Sequence, residues 1–207
     1  MTLRVFAALL GALCLFAHGI AHAQVESEMR PDYKAGVRAY KAGDLKKAVI
    51  FFQQGANDGD PRAEFALGTH YAFAEGVPED LGKARVLIES SAGKQYPPAL
   101  TMLAVMYQKG KGAPVDYAKA VEYLRKAALL CESQAQSLLA NALYEGQGTA
   151  RNRPEALAWL LFASDRGEAE ARQEIPTVAV ELGPVEQDEA RDLYKKYKSQ
   201  VTCQPMR

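Results

Sequence analysis

The chain has 207 residues, of which 25 are basic, 25 acidic and 48% hydrophobic. This balance offers no electrostatic attraction for nucleic acid or an anionic membrane surface, while the apolar fraction suffices for a real core.

At the N-terminus, Arg4 precedes an apolar run from Val5 to Phe16 and the small-residue triplet Ala21-His22-Ala23. The pattern predicts a secretory signal over residues 1–23, cleaved after Ala23, and a periplasmic or secreted product. The run falls short of the about 20 residues that a membrane span needs, so no membrane insertion is expected after cleavage. Lipid attachment at Cys14 would require a small preceding residue, and Leu13 stands there. Cleavage would remove Cys14, His18 and His22, leaving His70, Cys131 and Cys203. In an oxidising compartment the two remaining cysteines predict a Cys131–Cys203 disulfide, with two free thiols as the alternative.

Residues 24–32 read as a linker. Beyond them, three ladders run at a spacing of 36 residues: Ala48, Ala84, Ala120 and Ala156; Asp44, Asp80, Asp116 and Asn152; Ala63, Ala99, Ala135 and Ala171. Such a period marks a helix-turn-helix unit that must stack on its neighbours to bury its apolar face. The predicted units are 33–59, 60–95, 96–131 and 132–167. In the second, Asp60-Pro61 opens a first helix with an N-cap acceptor and proline at N1, and Pro97 and Ser133 mark the same register later. Gly76, Gly112 and Gly148 fall in the loop, and Asp80, Asp116 and Asn152 are placed to cap the second helix.

That second helix carries the pairs Phe51-Phe52, Leu87-Ile88, Tyr123-Leu124 and Trp159-Leu160, with Gly55, Ser91, Ala127 and Ala163 as small counterparts. The first unit has a shorter turn, Ala42-Gly43-Asp44. After Gly167 the pattern decays: Ala171 and Ile175 continue it and Pro176 is expected to interrupt it. A last helix is predicted from Pro184 through Ala190, Leu193 and Tyr197, so that residues 168–207 cap the stack. The predicted fold is all-α, a right-handed α-solenoid with a C-terminal capping helix.

The third unit assembles Leu103-Ala104, Tyr107, Gly110, Gly112, Asp116, Lys119-Ala120, Tyr123-Leu124 and Ala127-Ala128, and the second and fourth units repeat much of this set. In these residues the sequence resembles the Sel-one-like repeat family, tetratricopeptide-related solenoids, over roughly residues 33–175. It departs from the pattern in the short first turn, in Leu143-Tyr144 where one aligned tyrosine is expected, and in Cys131 where glycine usually closes the second helix. The resemblance implies an adaptor or assembly factor, with β-lactam binding or hydrolysis in some cysteine-rich relatives.

Chemistry is thinly represented. Ser91-Ala92-Gly93-Lys94 matches a Ser-x-x-Lys signature, yet neither Ser-Asp-Asn nor Lys-Thr-Gly occurs, and Ser91 holds a packing register. With His70 as the sole histidine after processing, a multi-histidine metal site is excluded and a catalytic triad would depend on that one residue. No cofactor is implied. The candidate site is the concave face of the first helices, where Arg62, Thr69, Gln108, Lys109, Gln134, Ser137, Asn141 and Glu145 lie outside the core registers. The reading is a non-enzymatic scaffold binding a peptide or envelope protein. A β-lactam or cell-wall hydrolase and a structural component of an envelope machine are the alternatives.

Overall fold

A computed structural model describes residues 33–201. The expected signal peptide, the linker and Cys203 lie outside the described residues. Ten helices and no strand occur among those described: α1 (Tyr33–Lys41), α2 (Leu45–Asn57), α3 (Pro61–Ala72), α4 (Leu81–Gly93), α5 (Pro97–Lys109), α6 (Tyr117–Leu129), α7 (Ser133–Glu145), α8 (Arg153–Asp165), α9 (Ala169–Val180) and α10 (Pro184–Gln200). Each helix from α1 to α8 packs on the next, giving a stack of hairpins, and α10 packs against α8. The architecture is an α-solenoid.

Local chemistry sets the helix starts. The side chains of Asp44, Asp80, Asp116 and Asn152 accept the backbone N–H three residues on, at 2.9–3.1 Å. Each thereby satisfies one of the donors that a helix N-terminus leaves unpaired. The first helices use other means. Asp60 accepts from Arg62 N–H at 2.9 Å, Glu132 from Ala135 N–H at 2.6 Å, and α5 begins on Pro97, with no side-chain cap from Tyr96.

Both alanine ladders are fully buried at every rung. Alanine there lets helix backbones approach closely, and the larger Phe52, Ile88, Leu124 and Leu160 fill the space beside them. Their partners in the large pairs behave differently: Phe51, Leu87 and Tyr123 stay half-buried on the outer side, and only Trp159 is buried, with Tyr197 of α10 stacked on it. One core cluster runs from Ile88 to Ala190 and a smaller one comprises Ala39, Ala48, Phe52 and Leu67. At the second unit, between the two, buried polar groups appear: Glu64, His70 and Ser91.

Pro176 does not interrupt α9, which continues to Val180. The cost of its missing N–H is moderated because Arg172 and Pro176 face the exposed side, where solvent can replace the lost bond.

The loop glycines have a second role beyond their positive φ of 72–75°. A Cβ on Gly76 would lie 2.8 Å from the carbonyl of Leu45, one on Gly112 2.9 Å from that of Leu81, and one on Gly148 against that of Tyr117. Leu45, Leu81 and Tyr117 are the first residues of α2, α4 and α6, so each loop is seated on the helix start of the preceding unit. Gly43, with φ of +78°, has nothing within 4 Å of such a Cβ. Gly43→Ala is therefore expected to cost only the left-handed backbone penalty, about 1 kcal/mol. Gly148→Ala adds a backbone clash and should cost about 3 kcal/mol. Urea unfolding followed by circular dichroism would read both as lowered midpoints, in that order.

Candidate protein-binding face

The first helices α3, α5, α7 and α9 share one side of the stack, and their side chains outside the core form two grooves. Between α3 and α5, Ala72, Phe73, Leu81, Met102, Val105 and Met106 line an apolar cavity of about 100 Å³ with Lys109 and Lys111 at its edge. Phe73 is 57% exposed there. Between α7 and α9, Asn141, Tyr144, Glu145, Glu170, Gln173, Glu174 and Thr177 surround a cavity of about 320 Å³, with Leu160 of α8 also lining it. The face thus carries an apolar, lysine-rimmed groove in one half and a polar, carboxylate-rich one in the other.

The structure distributes the sequence candidates unevenly over this face. Lys109 lies in the first groove and Asn141 and Glu145 in the second. Gln134 is exposed and Gln108 half-buried. Arg62 is engaged: its guanidinium donates to both Asp60 carboxylate oxygens at 3.0 and 2.7 Å and sits 5.2 Å from the Tyr33 ring centroid. Thr69 donates its hydroxyl back to the Ala66 carbonyl at 2.7 Å, and the Ser137 hydroxyl oxygen is buried.

Sequence reasoning missed Phe73, Met102 and Val105. Register could have found Val105 and Phe73, because Val105 stands where Thr69, Asn141 and Thr177 stand in other units, and Phe73 where Lys109 and Glu145 stand.

The chemically suggestive residues are absorbed by packing. Ser91 is fully buried and donates to the Pro61 carbonyl at 2.6 Å, whereas Lys94 reaches the Glu64 carboxylate at 2.7 Å and the Gly59 carbonyl at 2.9 Å. The Ser-x-x-Lys pair thus ties α4 back to α3, each residue with its own partner. His70 is buried against Tyr40 and Phe52, with Nδ1 2.6 Å from the Glu75 carbonyl oxygen. A carbonyl can only accept, so Nδ1 carries the proton and the ring pins the following loop. Among the described residues no group of three or more His, Cys, Asp or Glu is placed to hold a metal.

The stack ends on an electrostatic clasp. Glu155 accepts from Arg125 at 2.5 Å, from Tyr197 at 3.1 Å and from Asn152 at 3.2 Å, with Trp159 Nε1 at 3.4 Å. Burial pushes its carboxyl upward, but the Arg125 bond and charge, with help from Tyr197 and Trp159, hold it below the ordinary range. The Tyr197 hydroxyl is pushed up to about 12 by burial and then by the Glu155 carboxylate. A tyrosine that keeps its proton more firmly when folded stabilises fully below its ordinary value of 10.0 and loses that contribution as pH rises toward about 12. Thermal unfolding across that interval should therefore show a steeper fall in midpoint for the natural chain than for Tyr197→Phe.

Residues 33–60, 61–95, 97–130 and 133–168 match the Sel1 repeat. These segments cover more than half of the sequence, and the chain belongs to the Sel1 repeat family. It superposes with a TM-score of 0.70 on a protective antigen present in uropathogenic Escherichia coli strains, which displays an SLR fold, at 28% identity over 75% of this chain. The chain spans only 33% of that protein. A Sel1 repeat protein from Oxalobacter formigenes superposes with a TM-score of 0.68 at 21% identity, over 82% of this chain and 72% of that one. No curated protein matches the sequence. Sel1 repeats are in general scaffolds for protein–protein interaction.

Proposed function

We propose that this protein is an exported, non-enzymatic adaptor that holds a peptide segment of an envelope protein on the face of its first helices. The observation that carries the reading is the groove lined by Phe73, Met102 and Val105. It leaves apolar surface exposed at the registers of Phe73 and Val105, which other units fill with polar residues, and an apolar groove rimmed by polar groups is what an anchored peptide needs. Lys109 and Lys111 favour a carboxylate beside that anchor, and Glu145, Glu170 and Glu174 favour basic residues further along the segment.

A photo-crosslinking residue at Val105 in intact cells is expected to capture a partner that one at Asp192, on the exposed surface of α10, does not. Binding of that partner, once purified, should weaken about tenfold on Lys109→Glu, the loss typical of one buried-edge charge contact. Capture from both positions alike, or unchanged affinity, would clear this face of the role.

Export rests on the leader over residues 1–23, and among the described residues no helix is long and apolar enough to cross a membrane. The same reading assigns a Cys131–Cys203 bridge. Cys131 holds φ of +67° in the register where the first and fourth units have Gly59 and Gly167, so a residue with a side chain occupies a strained position that glycine would fill freely. Val201, two residues before Cys203, packs on the main core cluster. A bridge over this separation stabilises by roughly 4 kcal/mol in the chain-entropy view. Thiol titration of the unfolded, unreduced protein purified from the periplasm should find no free thiol; two would end the assignment.

A further inference from the structure

The outer side of the stack contains a socket that the chain fills with its own aromatic side chain at one repeat and leaves open at another. At the fourth unit Tyr197 of α10 stacks on Trp159 with 4.1 Å between ring centroids and donates to Glu155, which Arg125 also holds. Two repeats earlier, 72 residues back, Trp159, Glu155 and Arg125 correspond to Leu87, Lys83 and Gln53. Those three residues, with Leu67, Tyr71, Gly82 and Val86, line an open cavity of about 400 Å³ where α2, α3 and α4 meet. At the unit between, Tyr123 stacks on Tyr107 instead, 5.8 Å apart and nearly parallel.

The rim of the open socket is apolar. Val86 is 66% exposed and Ile50, its counterpart one unit earlier, 58%. In the same register the third unit has exposed Glu122, paired with Lys126, and the fourth has Ala158, fully buried on the helix against which α10 packs. Exposed hydrophobes therefore stand at the register that a covering helix buries elsewhere in the chain.

Charge specifies the occupant. Glu155 accepts a bond from its tyrosine, whereas Lys83 in that register is a donor whose side chain is 64% exposed, resting 5.4 Å from the Tyr71 ring centroid and 3.3 Å from Asp80. We propose that this socket, which shares no lining residue with the groove at Phe73, is a second docking site, and that it receives a helix of a partner protein presenting an aromatic side chain with a carboxylate beside it.

The probe is a lactam-stapled peptide copying residues 184–201 with Lys196→Glu and Lys198→Glu, titrated into the purified protein and followed by amide NMR. The resonances of Gly82, Lys83, Val86 and Leu87 are expected to move. Affinity should fall about tenfold with Val86→Glu in the protein, and about tenfold with Tyr197→Ala in the peptide, as for loss of an anchor residue. The peptide retaining both lysines should bind more weakly than its charge-reversed form. Val86 is exposed, so circular dichroism of Val86→Glu should match the natural chain. Shifts confined to other regions, no binding, affinity indifferent to Val86→Glu, or self-association that Val86→Glu abolishes would each overturn the proposal, the last by making a second copy the occupant.

Discussion

Close contact between backbones is the constraint on which this molecule depends. Alanine at 48, 84, 120 and 156, and again at 63, 99, 135 and 171, leaves room for little but the neighbouring helix, and every one is fully buried. The loop glycines do the same between units, each set against the first residue of the preceding second helix. A methyl group more at any of these places would push one hairpin off the next, and in a quasi-linear stack a local step is passed on to every later unit. The absence of insertions in the 36-residue spacing is thus a packing requirement.

An open stack needs an end, and the fourth unit is altered to provide one. In the second and third units a lysine lies over a tyrosine ring, Lys83 over Tyr71 and Lys119 over Tyr107, each at 5.4 Å. The fourth unit changes both members, to Glu155 and Leu143. The carboxylate so created is buried, and Arg125, Asn152, Trp159 and Tyr197 supply its bonds. A buried charge is tolerable only when its bonds are met, and α10 supplies one of them through Tyr197. The same group that closes the core against Arg125 therefore also anchors the cap.

Much of this was legible beforehand, and the reason is geometric. Buried small residues, loop glycines and caps answer to backbone requirements that recur at each turn of the stack, so they repeat visibly in the sequence. The cap helix from Pro184 followed from its proline and its spacing. What escaped was of another kind. The apolar groove at Phe73, Met102 and Val105 is assembled from two units, and no single repeat displays it. The end of Ser137 in a buried setting and of Arg62 on Asp60 depends on neighbours that periodicity does not name. Pro176 misled because exposure on one side of α9 makes its missing bond affordable, a fact of tertiary placement.

Repetition within one chain also supplies its own control for function. Where four equivalent positions hold the same residue, the stack explains them. Where the backbone is equivalent and the residues differ, the stack makes no demand and something else can. The registers of Thr69, Val105, Asn141 and Thr177, and of Phe73, Lys109 and Glu145, are of this second kind, and they bring apolar surface and opposite charges to successive places on one face. The outer register of Ile50, Val86, Glu122 and Ala158 is another, and there the chain shows in its own α10 what a covered surface looks like. A scaffold that distinguishes partners would place such divergence where it is found, on registers free of the packing that keeps the hairpins in line.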